Sequence, residues 1–212
     1  MTLNIERARQ WYANADPIHD FEHILRVLAV AERLAQAEGA DVEIVRAAAL
    51  LHDAADAAPD NEAGRLTHHE DAAAFAKKIL GEEGWGEDRI EAVLHCIRAH
   101  RFRNTEKPRT LEAMIMFDAD KLDVLGAIGV ARTFGYAAIA GQPLTGKPSQ
   151  KFLSTLEKEP NEPHTAYHEY LFKLSRLKDR FHTKTAKMIA EERSRYLDEF
   201  FERLHKEERG EL

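Results

Sequence analysis

Residues 20–39, Asp-Phe-Glu-His-Ile-Leu-Arg-Val-Leu-Ala-Val-Ala-Glu-Arg-Leu-Ala-Gln-Ala-Glu-Gly, decide the fold class. Phe21, Ile24, Leu25, Leu28, Ala31, Leu34 and Ala35 recur at steps of three and four, which lines one face of a helix. Asp20 is placed to accept the first free N–H groups, and Gly39 supplies a left-handed stop. The same grammar repeats downstream. Asp41 caps a second helix with Ile44, Val45, Ala48, Leu51 and Ala55 on its buried side. Thr67 and Glu70 form a capping box before Ala72, Phe75, Ala76, Ile79 and Leu80, with Gly81 as the stop. A fourth helix begins near Asp88 and carries Ile90, Val93, Leu94 and Ile97. Thr110 caps a fifth that runs through Met114, Ile115, Phe117 and Leu122 and past Leu125. The C-terminal part is read as mostly two helices, centred on Leu171–Leu177 and Met188–Leu204. No stretch alternates at period two and no Asn-Gly or Asp-Gly hairpin signal occurs, so the chain is expected to be all-α. Residues 56–66, 98–109 and 141–150 read as loops.

A chain of 212 residues is one domain by length, large enough to bury a core without disulfides or a structural metal. The single cysteine, Cys96, excludes an internal disulfide framework and suits a reducing compartment. Nothing resembles a signal peptide, and no apolar run has the length of a membrane span. A net charge of −7 argues against bulk nucleic-acid or anionic-membrane binding, which draws on a basic face. A cytoplasmic protein is expected.

The chemistry is concentrated in eleven histidines and their acidic neighbours. The run Ala47-Ala48-Ala49-Leu50-Leu51-His52-Asp53 carries a histidine and an aspartate at the end of an apolar helix. A carboxylate drawn into such surroundings needs a cation or strong hydrogen bonds. A divalent metal answers both residues, because imidazole and carboxylate are suitable first-row ligands. His23 lies beside the apolar stripe of the first helix, and Asp120 lies in another largely apolar helix. His23, His52, Asp53 and Asp120 would make four ligands from three helices, leaving coordination positions for water and substrate.

The order His23, then His52-Asp53, then Asp120 resembles the signature of the HD superfamily of metal-dependent phosphohydrolases. The stretches HDFEHILRV (19–27), AALLHDAAD (48–56), DADKLDVLGAIGVARTF (118–134), HEYLFKL and HTKTAK resemble the small bacterial hydrolases of the YpgQ/YedJ type. The resemblance implies an all-α helical bundle over residues 1–212, with a metal-site core at about 19–125 and a helical extension at about 150–208. It implies one divalent metal ion, of manganese, cobalt, nickel, iron, magnesium or zinc, held by His23, His52, Asp53 and Asp120. It also implies hydrolysis of a small phosphorylated substrate, a nucleotide by preference, with triphosphates cut to monophosphate and pyrophosphate. Asp56 matches the position of an acid near the attacking water, where it would orient the water or accept its proton. Arg26, Lys121, His100 and Arg101 are candidates for offsetting charge on the phosphoryl oxygens. Alternative readings are a nucleoside monophosphate phosphatase, another phosphate-ester hydrolase, or a non-catalytic metal- and nucleotide-binding sensor. A homodimer is left open.

Overall fold

The structure, a computed structural model, describes residues 3–12, 20–54, 62–101 and 106–212. Among them every regular element is helical. The α-helices are α1 (Ile5–Arg9), α2 (Phe21–Glu38), α3 (Val42–Leu51), α4 (Glu62–Glu82), α5 (Glu87–Ala99), α6 (Leu111–Leu122), α7 (Gly126–Ile139), α8 (Gln150–Thr155), α9 (Ala166–Phe172) and α10 (Lys184–Glu208). They divide into two compact units. The first takes residues up to Asp120 together with His182–Ala186; the second takes Lys121–Phe181 and Lys187–Leu212.

In the first unit α3 is the central helix, in contact with α1, α2, α4 and α5. Its composition explains the position: Val45 and every residue from Ala47 to Leu51 are buried. Small alanines let neighbouring helices approach closely, and no polar side chain in its last turn needs water. The Asp41 carboxylate starts α3 by accepting from the N–H groups of Glu43 (2.9 Å) and Ile44 (3.2 Å). Asp20 likewise caps α2, and Gly39 closes that helix at φ +78°. Both helix starts and this stop are where the pattern places them. Thr110 Oγ1 accepts from the N–H of Ala113 at the start of α6, again as expected.

Four expectations about elements are corrected, three of them before α7. Helix α4 begins at Glu62, so Thr67 lies inside it rather than capping it, and residues 62–66 of the expected loop are helical. Gly64 lies within it without ending it. Gly81 is not its stop: the turn falls at Gly84, φ +74°, where the N–H of Trp85 reaches back to the carbonyl of Leu80. Helix α6 ends at Leu122 instead of continuing past Leu125, because Gly126 adopts φ +69° and starts α7 afresh.

The second unit packs α7 against α9, and α9 against a 3-10 helix over Leu174–Arg180. The expected single helix over Leu171–Leu177 is therefore two: Lys173 leaves helical backbone at φ −129°, and buried Leu174 and Leu177 follow at the three-residue period of a 3-10 turn. Aromatic contacts join Phe134, Tyr167, Tyr170 and Phe201; the rings of Tyr170 and Phe201 stack at 4.4 Å. The Glu162 carboxylate organises the loop before α9. It accepts from Ser149 N–H and Oγ, from Glu159 N–H and from the His168 ring.

Candidate metal centre

His23, His52, Asp53, His100 and Asp120 come together in the first unit. His23 enters from the first turn of α2, where Asp20 accepts its backbone N–H, and its side chain is 1% exposed. His52 is the C-cap of α3, so the apolar helix that ends there carries its ring into the core, 0% exposed. Asp53 occupies the turn that follows. Asp120 projects from α6, and His100 is the buried C-cap of α5.

Two of the imidazoles are held in a defined tautomer. A backbone carbonyl can only accept, so His52 Nδ1–H donates to Ala49 (2.9 Å) and His100 Nδ1–H donates to Ile97 (2.5 Å). Each hydrogen bond leaves Nε2 with its lone pair directed inward, the arrangement that suits a metal ligand. His52 Nε2 is buried and has no hydrogen-bond partner among the described residues. It lies 3.4 Å from Asp53 Oδ2, while His23 Nε2 lies 3.9 Å from Asp53 Oδ2 and 3.6 Å from Asp120 Oδ1. One donor atom each from His23, His52 and Asp120 falls within 4.8 Å of the others. Ligands bonded at about 2.1 Å to one ion stand roughly 3–4.2 Å apart, so a divalent cation fits with small adjustments. A buried acceptor nitrogen beside two carboxylates is the donor set such a cation needs.

The electrostatics agree. Burial pushes the Asp53 carboxyl up, but positive charge on His52, His100 and His23, in the cationic form the rings take when no metal occupies their Nε2 lone pairs, pulls it down further, against Asp120, and the net shift is well below the usual carboxylate range. The site thus keeps Asp53 as an anion.

Among the candidates for substrate contact, His100 is brought to the centre, with Nε2 3.7 Å from Asp53 Oδ1. Arg26 follows His23 by one turn of α2 and is half-buried, so the two share a face. Arg101 follows His100 directly and is also half-buried. Lys121 is the residue after Asp120 in α6 and is grouped with the second unit. Asp56 lies outside the described residues. Part of the basic stretch 98–109 is committed elsewhere: Arg98 is tied to Glu106 and Glu91, and Glu106 also accepts from His95 Nδ1 at 2.6 Å. Cys96 is buried, which pushes its thiol up and leaves it a core residue.

Reading the sequence assigned no role to Asp118. It is fully buried and accepts three hydrogen bonds from residues 182 and 183. The signal available was an aspartate inside an apolar helix, two positions from another.

The HD domain model matches residues 20–125, the span that contains all five converging side chains. The chain belongs to the HD domain family. It is 33% identical to the protein YpgQ of Bacillus subtilis over 194 residues, 89% of this chain and 84% of that one. The crystal structure of YpgQ in complex with ADP superposes with a TM-score of 0.73 at 31% identity, covering 96% of this chain and 97% of that chain. An HD-superfamily hydrolase from Bacillus thuringiensis gives 0.67 at 32% identity, covering 96% and 95%. A predicted HD superfamily hydrolase from an uncultured Thermotogales bacterium gives 0.64 at 28%, covering 96% and 90%. A hydrolase role in general is thereby supported for this HD protein. Among its described residues no single helix is long and apolar enough to cross a membrane.

Proposed function

We propose that this HD protein is a divalent-metal-dependent phosphohydrolase acting on nucleotides, and that it cuts nucleoside triphosphates to monophosphate and pyrophosphate. The observation that carries this reading is the buried His52 Nε2, without a hydrogen-bond partner among the described residues and facing Asp53 beside His23 and Asp120. Its relative YpgQ binds ADP, which supports a nucleotide ligand here.

His23, His52, Asp53 and Asp120 would hold the ion. Bound there, the metal would supply a Lewis acid for a phosphoryl oxygen and a water of lowered pKa. The protein's own groups do the rest. The Nδ1 hydrogen bonds keep the two C-cap imidazoles oriented before substrate arrives, so little reorganisation accompanies the reaction. His100, with Nε2 turned inward, would donate to a phosphoryl oxygen in its cationic form. Arg26, one turn after His23, and Arg101, directly after His100, would offer positive charge to the phosphoryl oxygens. Asp56 takes the proton of the attacking water or orients it.

The test is a metal-by-substrate screen of purified protein, loaded separately with manganese, cobalt, nickel, magnesium, iron or zinc. Each form is given nucleoside mono-, di- and triphosphates, and products are resolved by phosphorus NMR. Pyrophosphate from triphosphates, lost in His52→Ala, is the expected result. Orthophosphate from monophosphates would replace this reading with a nucleotidase. Metal and nucleotide binding without turnover would replace it with a sensor.

A further inference from the structure

We infer that Asp118 is a positioning residue for the metal centre: through the strap 182–185 it fixes the roll of α6 about its axis and so aims Asp120 at His23. This rests on the metal-centre reading above and adds a residue that coordinates nothing.

Asp118 and Asp120 are two apart on one helix, so their side chains point about 200° from each other around the axis. Asp120 faces the histidines, while Asp118 faces the strap. Asp118 Oδ1 accepts from His182 N–H at 2.9 Å; Oδ2 accepts from Thr183 N–H and Thr183 Oγ1, both at 2.8 Å. Thr183 Oγ1 in turn accepts from Ala186 N–H, closing the first turn of α10. Two residues along, Thr185 N–H donates to Glu38 Oε1 at 2.7 Å, at the last residue of α2. One short strap therefore takes a carboxylate from α6 and another from α2, the two helices that supply Asp120 and His23.

The geometric demand explains why such anchoring is needed. A carboxylate oxygen lies roughly 5 Å from its helix axis, so a roll of about 10° moves it by about 0.9 Å. Metal sites tolerate about 0.2 Å. The other buried residues of α6 are Ala113, Ile115, Met116, Phe117, Ala119 and Leu122. Apolar packing of that kind is non-directional, whereas three hydrogen bonds to one carboxylate are directional.

The experiment uses the full chain stripped of metal and titrated with manganese against a fluorescent chelator. Asp118→Asn places an amide N–H₂ among donors and is expected to weaken manganese at least tenfold, with helicity by circular dichroism retained. Thr183→Val removes one of the three bonds and is expected to give a smaller loss. Ile90→Ala, a cavity variant on α5, serves as a control for lowered stability and is expected to bind manganese like wild type. Equal affinity in Asp118→Asn and wild type, or an equal loss in Ile90→Ala, overturns the inference. If Asp118→Asn does not fold, Glu38→Gln loosens the same strap from α2. A weakening of threefold or more then supports the inference, and wild-type affinity overturns it. A wild-type chain that binds no metal overturns the proposed function itself, which is a separate outcome.

Discussion

His52 Nε2 and Asp53 Oδ2 lie 3.4 Å apart although the two residues are adjacent in the chain. Side chains on consecutive helical residues diverge by about 100°, so two neighbours converge only where the helix stops between them. Here α3 stops at Leu51 with His52 as its C-cap, and Asp53 sits in the turn beyond. The end of the helix is thus part of the site: it converts a dipeptide into two donors facing one point. The cost of burying them is offset in part by the Ala49 carbonyl, and the remaining unpaired lone pair on His52 calls for a cation.

Metal removal should therefore be felt in stability as well as activity. Without a cation, Asp53 and Asp120 repel each other. Metal present at about 100 times its dissociation constant adds about 2.7 kcal/mol. For a chain of this size that corresponds to a rise in melting temperature of roughly 5–10 °C. Scanning calorimetry with and without manganese checks this, and His52→Ala should lose most of the rise. An identical melting curve in both conditions would contradict the assignment.

His100 offers a different expectation. It faces Asp53 at 3.7 Å and, like Asp53, lies outside the cluster of His23, His52 and Asp120, but it is not one of the four proposed ligands. His100→Ala is expected to hold metal within a few-fold of wild type and to lose about 10²-fold in kcat, as for a removed charge-stabilising donor. Metal titration beside steady-state kinetics separates the two effects. A loss of metal equal to that in His52→Ala would make it a ligand instead.

Arg26 should act on binding. It shares the His23 face of α2 and is half-buried. Arg26→Ala is expected to raise KM for a triphosphate roughly tenfold with kcat little changed, and the ratio should shrink as salt is added. A change confined to kcat would remove it from the binding role.

The parts of this architecture that could be read directly were those written in local chemistry. Asp20, Asp41 and Gly39 each act within a few residues of their place in the chain, and each cap or stop is found as expected. His52 and Asp53 were legible because an apolar helix leading into a charged pair is a local contradiction that only a partner resolves. Asp118 was not, since its partners are at 182 and 183 and no periodicity links them. Gly81 misled because glycine permits a left-handed turn without requiring one. The turn was set three residues later, at Gly84, where the N–H of Trp85 closes onto Leu80.

Gly129 tests the packing of the second unit. A Cβ built there would stand 2.3 Å from the carbonyl oxygen of Val124, a backbone atom that cannot swing aside. Gly129→Ala is expected to destabilise by about 3 kcal/mol, toward the upper end for overpacked sites. Gly81→Ala meets nothing within 4 Å and is expected to stabilise α4 slightly. Thermal unfolding of both variants checks the contrast, and equal midpoints would contradict it.

Glu162 gives the pH dependence. Burial raises its carboxyl, but hydrogen bonds from Ser149 N–H and Glu159 N–H, with His168 and Ser149 Oγ, outweigh that and hold it at about 2. A carboxyl lower in the folded state than in the unfolded chain, where about 4.3 is usual, stabilises the fold when ionised. That contribution is complete above the unfolded value and disappears as pH falls toward about 2. Glu162→Gln should therefore melt below wild type by a constant margin from pH 7 down to about 5. The margin should close between about pH 4.3 and 2, as the wild-type carboxyl takes up its proton. His168→Phe retains the ring volume and the aromatic contact at Phe152 but removes one donor, so it should show part of the same margin over the same interval. A margin that persists unchanged at pH 2 would mean that glutamine fails there for its shape, and that ionised Glu162 is not what holds the loop before α9.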